Sequence, residues 1–141
     1  MTLENDEDLE GLKAIGRICA NVLQHMSTAA RPGMTTGELD LIGRRMLEEA
    51  GATSAPESCY KFPGATCISI NEEVAHGIPG DRVIRNGDLI NIDVSAVRDG
   101  YFADTGASFT MGRSPPAVER LCRDGKRALW VGLKEVKTGK P

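Results

Sequence analysis

Two aspartates lie in the middle of segments that otherwise resemble β-strands. The stretch NIDVSAVRDGYFADTGASF, residues 91–109, carries Asp93 in its first half and Asp104 in its second. Aspartate is depleted in strands, and a buried carboxylate is costly unless it is paired, hydrogen-bonded or bound to a metal. These two positions are therefore the first candidates for chemistry.

Strand parity predicts how the two carboxylates are placed. The dipeptide Asp99-Gly100 is a favoured two-residue hairpin loop. With that loop, Asp93 lies opposite Gly106, and Asp104 points to the same face of the hairpin because alternate side chains share a face. Such diagonal neighbours have backbone positions roughly 7–8 Å apart, with side chains that can lean together. Gly106 removes a side chain that would crowd the space above Asp93.

Two converging carboxylates are suited to metal binding. Like charges this close repel and raise each other's pKa. A divalent cation, or a pair of cations about 3.5–4 Å apart that serves hydrolytic chemistry, relieves the repulsion through hard oxygen ligands. The residues alone leave two other interpretations open. The polar face could simply face water, and a three-residue loop would place the aspartates on different faces.

Helical patterns precede and follow this hairpin. The first helix is expected to begin near Asn5 or Asp6, and its apolar stripe is Leu9, Leu12, Ile15, Cys19, Val22 and Met26. A second helix begins after the break at residues 31–33, with capping-box spacing between Thr35 and Glu38 and with Gly51 at the C′ position. A third helix follows Ser114 as its N-cap and is weakened by Gly125.

The remaining segments read as one strand and two loops. Residues 51–65 are rich in turn formers and predict a loop, and residues 66–70 predict a short strand. Residues 71–88 predict another loop, with a short extended piece near Val74. The resulting order, α-α-β-β-β-α, indicates an α+β domain whose sequential strands pair antiparallel.

Composition limits the class of protein. The chain has 141 residues and a net charge of −3, which fits one globular domain. No lysine and arginine cluster is present, so direct nucleic-acid binding is not expected. No run approaches the roughly 20 apolar residues of a membrane helix. The acidic N-terminus lacks the apolar core of a secretory signal, so a cytoplasmic location is expected.

The cysteines and histidines narrow the chemistry further. None of Cys19, Cys59, Cys67 and Cys122 forms a CxxC pair, so a zinc knuckle is not expected and the thiols are interpreted as reduced. Only two histidines, His25 and His76, are present. A metal site built mainly from histidines of this chain is therefore excluded.

Longer motifs resemble a known family. The stretches CISINEEVAHGIPG and NGDLINIDVSAVRDGYFADTGASFTMG, with RPGMTTGELD before them, closely resemble the N-terminal half of bacterial type I methionine aminopeptidases. The resemblance runs from about Asp8 to Lys140. It implies that residues 1–141 form half of a pita-bread fold, an antiparallel sheet with flanking helices, and that the C-terminal half is absent.

The resemblance also implies roles for individual residues. Asp93 would chelate one metal of a dinuclear site and Asp104 would bridge both. His76 would hydrogen-bond the substrate and stabilise the charge that develops on the scissile group. Phe62 and Cys67 would line the methionine pocket, with Cys59 near it, and an apolar pocket suits a thioether.

The sequence departs from the family pattern at two places. The loop before the cysteine strand reads Cys59-Tyr60-Lys61-Phe62-Pro63, without the family's histidine, which leaves the details of the pocket open. The other metal ligands of the family, one His and two Glu, lie in a second half, and no His follows His76. We therefore expect this chain alone to bind its two divalent metals (Co, Mn, Fe or Zn) weakly or partly, and to hydrolyse peptides slowly or not at all.

Three functions follow from these observations. The first is a metal-dependent methionyl aminopeptidase that acts on nascent protein N-termini with a small second residue, near the ribosome. The second is a catalytically dead half-length paralogue that binds peptides or other partners. The third is a pita-bread peptidase of the X-Pro type. The absent half also predicts an exposed strand edge and apolar face, and hence self-association.

Overall fold

A four-stranded antiparallel sheet organises the chain. The computed structural model describes residues 3–139. Its elements are α1 (Asp6–Ala29), α2 (Thr36–Glu49), β1 (Thr53–Ser54), α3 (Ala55–Tyr60), β2 (Cys67–Ile70), β3 (Leu89–Arg98), β4 (Tyr101–Thr110) and α4 (Pro116–Glu135). β4 pairs along the whole of β3, so β1 and β2, which also pair with β3, share its opposite edge.

Helix α1 covers one face of this sheet as its apolar stripe predicts. The Asn5 side chain caps the helix by accepting a hydrogen bond from the Asp8 backbone N–H at 2.9 Å. Four residues of the predicted stripe are buried: Ile15, Cys19, Val22 and Met26. They pack with the fully buried Ile90, Ile92, Val94 and Ala96 of β3. The opposite face of β3 carries Asn91, Asp93 and Ser95, so the core lies on one side only.

Helix α2 begins and ends where the sequence predicts. Thr35 and Glu38 form both hydrogen bonds of the capping box. At the other end Gly51 has a φ of +67°, and the Ala52 and Gly51 N–H groups donate to the Leu47 and Glu48 carbonyls in a Schellman arrangement. The left-handed glycine turns the chain directly into β1.

The expectation of a loop over residues 51–65 is wrong, because this segment contains β1 and α3. The Ser54 side chain accepts a hydrogen bond from the Glu57 N–H, and Pro56 lies in the first turn of α3. Ser, Pro and Glu are helix-start residues as well as turn formers. These residue types alone therefore do not distinguish a helix from a loop, and the ion pair of Glu57 with Arg44 of α2 favours the helix.

Two further expectations need correction. Val74 is not in an extended piece but is 98% exposed, and the bridge in this region joins Val83 to Thr35. The strand predicted over 66–70 begins one residue later, at Cys67. The observed order is therefore α-α-β-α-β-β-β-α, still an α+β arrangement with antiparallel strands.

Helix α4 follows the hairpin and is the least buried element. Its N-cap is Pro115 rather than Ser114, whose hydroxyl instead donates to the Gly87 carbonyl at 3.1 Å. The helix continues through Gly125, and none of its residues is buried. Among the helices of residues 3–139, none is long and apolar enough to cross a membrane.

Candidate active site

The β3–β4 hairpin places both aspartates on the face opposite α1. Asp99 and Gly100 have φ values of +53° and +82°, as a two-residue type I′ turn requires. Asp93 pairs with Gly106, and Asp104 pairs with Ser95. The predicted register is confirmed, and the alternative of a three-residue loop is excluded.

The two carboxylates interact directly. Asp93 is half-buried, and its pKa is raised to about 6 by burial, by a hydrogen bond with Asp104 and by the charge of Asp104. The charge of His76 acts on the same pKa in the opposite direction, so the imidazole lies within electrostatic reach. A freely solvated carboxylate would show none of these effects. Asp93 and Asp104 therefore form an interacting acidic pair in which Asp93 is half-buried and Asp104 is exposed.

Cys67 and Gly106 flank Asp93 across the sheet. Cys67 pairs with Asp93 from β2, so its side chain lies on the same face. Burial, and next the charge of Asp93, raise the pKa of this thiol to about 11, so it is neutral near pH 7. On the other side, a Cβ on Gly106 would lie 3.9 Å from the Asp93 Cβ. The same Cβ would lie 3.2 Å from the Ile92 carbonyl oxygen, so the pair is bordered by a neutral thiol on one side and by closely approached glycine backbone on the other.

His76 is held beside this face by its neighbour Gly77. The Gly77 N–H donates to the Ser69 hydroxyl at 3.0 Å, and the Gly77 carbonyl accepts from the Ile68 N–H at 3.0 Å. A Cβ on Gly77 would lie 2.2 Å from the Ile68 carbonyl oxygen, so only glycine permits this approach. His76 itself is exposed and has a φ of +54°.

The start of α2 anchors the far end of the His76 loop. The Thr36 hydroxyl donates to the Gly80 carbonyl at 3.2 Å and accepts from the Gly80 N–H at 2.9 Å. The Gly37 N–H donates to the same carbonyl at 2.8 Å. Arg82 closes the loop by pairing with Glu73 at 2.6 Å. The stretch TTGELD therefore has a positioning role that the sequence analysis did not predict.

Phe62 and Cys59 lie in the segment that leads into β2. Phe62 is half-buried directly after α3, and its N–H donates to the Pro56 carbonyl at 3.2 Å. Cys59 is exposed on α3. The structure brings Asp93, Asp104 and Cys67 together. Among the described residues no hydrogen bond joins Phe62 or Cys59 to that group.

A buried acid on α2 was missed by the sequence analysis. Asp40 is 5% exposed and accepts hydrogen bonds from the Ala65 N–H, the Thr66 N–H and the Thr66 hydroxyl, at 3.1, 2.7 and 2.7 Å. The signal was present, because Asp40 follows Leu39 on the buried side of an amphipathic helix. A carboxylate at such a position has to be fully hydrogen-bonded.

A groove of about 620 Å³ opens between α4 and the aspartate face. Gly106 and Asn91 line it from the sheet, and Leu129, Trp130 and Leu133 line it from α4. The same three α4 side chains are 60%, 56% and 50% exposed. The region next to the acidic pair is thus an open apolar surface.

The residues present fit a metal site only in part. Asp93 and Asp104 offer hard oxygen donors from one face, and burial together with the hydrogen bond and charge of Asp104 raises the pKa of Asp93. No group of three or more His, Cys, Asp or Glu within residues 3–139 could hold a metal ion. The pair offers two carboxylate ligands, fewer than the roughly three protein ligands typical of a catalytic metal site.

Comparisons with known proteins agree with this geometry. Residues 10–141 match the model of metallopeptidase family M24. The chain is 54% identical to a methionine aminopeptidase of Staphylococcus epidermidis, over 99% of this chain and 56% of that protein. It is 50% identical to methionine aminopeptidase 2 of Bacillus subtilis, over 99% of this chain and 57% of that protein. The chain thus spans about half the length of the curated relatives it matches.

The fold comparison leads to the same family. A crystal structure of methionine aminopeptidase from Thermotoga maritima superposes with a TM-score of 0.92 at 25% identity, over 97% of this chain and 55% of that one. The expected half of a pita-bread fold is confirmed, and a metallopeptidase family implies the use of a divalent metal. Residues 10–141 carry the sequence pattern, the described part of the chain shares the fold, and the chain belongs to metallopeptidase family M24.

Proposed function

We propose that this chain supplies the N-terminal half of a methionyl aminopeptidase, which removes the first methionine from proteins whose second residue is small. The observation that carries the proposal is the Asp93–Asp104 pair on one face of the hairpin, with the pKa of Asp93 raised to about 6. The 54% identity to a methionine aminopeptidase supports this substrate.

Each residue on the aspartate face has a proposed role. Asp93 would hold one of two divalent metals and Asp104 would contribute to holding both; Co, Mn, Fe and Zn all suit such ligands. Bound metal would activate the attacking water. His76 hydrogen-bonds the substrate and stabilises the charge that develops at the scissile group. Cys67 contributes to the pocket as a neutral thiol, because its raised pKa disfavours the thiolate.

The methionine side chain is proposed to bind against Phe62 and Cys67, with Cys59 nearby. A half-buried aromatic ring and a buried neutral thiol offer the apolar, polarisable surface that a thioether prefers. The exposed position of Cys59 makes it the outermost of the three. The substrates are the N-termini of nascent proteins in the cytoplasm, at or near the ribosome.

The rest of the ligand set is proposed to lie outside residues 1–141. Two carboxylates fall short of the roughly three protein ligands that hold the metal in a catalytic site. The chain alone is therefore expected to bind metal weakly and to hydrolyse peptides slowly or not at all.

One observation favours a second candidate function, that of a half-length binding module. Leu121, Leu129 and Trp130 on α4 are all more than half exposed beside the groove. An apolar patch of this kind marks an interaction surface. A second copy of the chain is its proposed occupant, through self-association of this face.

The test uses the natural full-length protein loaded with Mn²⁺ or Co²⁺. Purified wild type and the Asp104→Asn variant are assayed for free methionine released from Met-Ala-Ser, with the X-Pro dipeptide Ala-Pro as the competing substrate. The proposal expects cleavage of Met-Ala-Ser and not of Ala-Pro, and a loss of at least about a hundredfold in Asp104→Asn.

The control is Asp81→Asn, which removes a carboxylate from an exposed loop position. It should retain full activity. Cleavage of Ala-Pro alone would replace the proposal with an X-Pro peptidase. No cleavage of either peptide would support the binding module.

A further inference from the structure

The segment that carries Phe62 is tied to α2 at both of its ends. At the β2 end, the buried Asp40 carboxylate binds the Ala65 and Thr66 N–H groups and the Thr66 hydroxyl. At the α3 end, Arg44 forms a two-pronged ion pair with Glu57 at 2.9 and 2.5 Å. Asp40 and Arg44 are one helical turn apart, so one stretch of α2 holds both ends.

Backbone hydrogen bonds tie Phe62 to α3. The helix ends at Tyr60, and its C-cap residue Lys61 has a left-handed φ of +55°. The Lys61 N–H donates to the Glu57 carbonyl at 3.1 Å, and the Phe62 N–H donates to the Pro56 carbonyl at 3.2 Å. The backbone leading to the Phe62 ring is therefore fixed to α3, and Glu57 sets where α3 lies.

Cys67 is fixed from the other end. It directly follows Thr66, which is fully buried and is held by Asp40 through both its N–H and its hydroxyl. The Ser54 hydroxyl also donates to the Ala65 carbonyl at 2.8 Å and closes the base of the segment. The two side chains proposed as pocket walls are thus both positioned relative to α2.

If the Arg44–Glu57 ion pair were lost, the pocket beside it would give the segment room to shift. A cavity of about 100 Å³ lies between α2, β1 and α3, and Arg44, Glu57 and Leu47 are among its lining residues. Bidentate arginine–carboxylate pairs fix geometry as well as distance. Without that pair α3 could settle toward the cavity and carry Phe62 with it.

We propose that Arg44, together with Asp40, is a positioning residue that sets the spacing between the Phe62 and Cys67 walls and so determines which first-residue side chain the pocket accepts. The inference rests on the proposed function, because it names the element that shapes the pocket of that same site. It assigns no chemical step to Arg44, which pairs with Glu57 and lies 3.9 Å from the Asp40 carboxylate.

The first experiment measures selectivity in the natural full-length protein. kcat/KM is determined for Met-Ala-Ser and Leu-Ala-Ser with wild type, Arg44→Met, Glu57→Ala and the double variant. Methionine keeps most of the apolar stem of Arg44 and removes its donors. Each variant is expected to lower the ratio of kcat/KM for Met-Ala-Ser to kcat/KM for Leu-Ala-Ser by about tenfold. The double variant should lower it no further, because all three break the same ion pair.

The matched control is Arg45→Met, which removes the neighbouring arginine of α2. It should leave the ratio within about twofold of wild type. A ratio unchanged in Arg44→Met, or lowered equally in Arg45→Met, would overturn the inference.

A second readout does not depend on activity. Amide hydrogen exchange at Lys61 and Phe62 is measured in the 141-residue chain, where it should rise by about tenfold in Arg44→Met and Glu57→Ala and stay constant in Arg45→Met. Unchanged exchange would overturn the positioning role. Faster exchange with unchanged selectivity would overturn the specificity role. If wild type does not cleave Met-Ala-Ser, the proposed function fails, and exchange still decides whether Arg44 positions the segment.

Discussion

At the scale of single residues, Asp93 shows how the fold changes the pKa of a carboxyl group. Burial and the neighbouring Asp104 raise its pKa from 3.8 to about 6. The folded chain without metal therefore holds a proton at this site more tightly than the unfolded chain does. Such an unfavourable arrangement is typical of sites that serve function rather than stability.

This shift predicts how stability depends on pH. Because the folded pKa is raised, ionisation of Asp93 destabilises the fold, and stability should fall as pH rises from about 4 through 6. Asp93→Asn removes that cost, so it should be more stable than wild type by about 1 kcal/mol at pH 7.5, after allowance for solvent screening, and equal near pH 4.

Urea unfolding in EDTA at the two pH values measures this difference. Asp81→Asn, at an exposed loop position, serves as the control and should show no pH-dependent gain. The account would be contradicted by an Asp93→Asn variant whose gain is the same at pH 4 and pH 7.5.

The aspartate pair could be predicted at this scale, but the partners of Asp40 could not. Alternation and the Asp99-Gly100 turn were enough to place Asp93 and Asp104 on one face, because a hairpin register follows from local geometry. The partners of Asp40 are Ala65 and Thr66, distant in the chain. Nothing local to α2 indicates where those N–H groups will lie.

At the scale of elements, the absence of a side chain at Gly77 allows the His76 loop to approach β2 closely. Gly77 lies against the Ile68 carbonyl, where a Cβ would come within 2.2 Å of the oxygen. The backbone around Ile68 cannot move to make room for such a Cβ without breaking the hydrogen bond between the Gly77 N–H and the Ser69 hydroxyl. The position of His76 therefore depends on the residue that follows it.

Gly77→Ala is predicted to destabilise the chain by roughly 2–4 kcal/mol because it displaces this loop. Gly16→Ala is the matched control, since Gly16 lies inside α1 with open space around its Cα. It should stabilise the chain by up to about 1 kcal/mol, because alanine is the better helix former. Thermal or urea unfolding of both variants tests the prediction. Equal effects of the two substitutions would show that the loop is not held as described.

Elements were predictable where their signals were local. The caps at Asn5 and Thr35 and the turn at Gly51 are read directly from the sequence. Helix α3 was missed because Arg44 of α2 holds Glu57 by a tertiary ion pair, which favours a helix over a loop in an ambiguous segment. Tertiary contacts commonly decide such short elements.

At the scale of the whole molecule, the aspartate face and α4 are left open. β4 pairs only with β3 among the described residues, so its outer edge is not paired with another strand. α4 has no buried residue, and its apolar side chains line the groove beside Gly106. An open strand edge next to an apolar helix face favours association with another chain.

The 141-residue chain is therefore predicted to self-associate at high concentration. Leu129→Glu, which puts a charge into the α4 face, should shift the chain toward monomer. Leu41→Glu is the control, because Leu41 is 46% exposed on α2, away from the groove, and this variant should associate as wild type does. Light scattering coupled to size exclusion measures the mass. A clean monomer for wild type at high concentration would contradict the prediction.

The central claim is that this chain holds two ligands of a larger metal site, and metal titration tests it most directly. Calorimetry with Mn²⁺ or Co²⁺, with metal content measured by mass spectrometry after desalting, is applied to wild type, Asp93→Asn and Asp104→Asn of the 141-residue chain. The account predicts weak binding to wild type, with a dissociation constant of about 0.1 mM or higher, abolished by either substitution, and no metal retained after desalting. Two tightly held metals per wild-type chain, or binding unchanged in Asp93→Asn and Asp104→Asn, would contradict it.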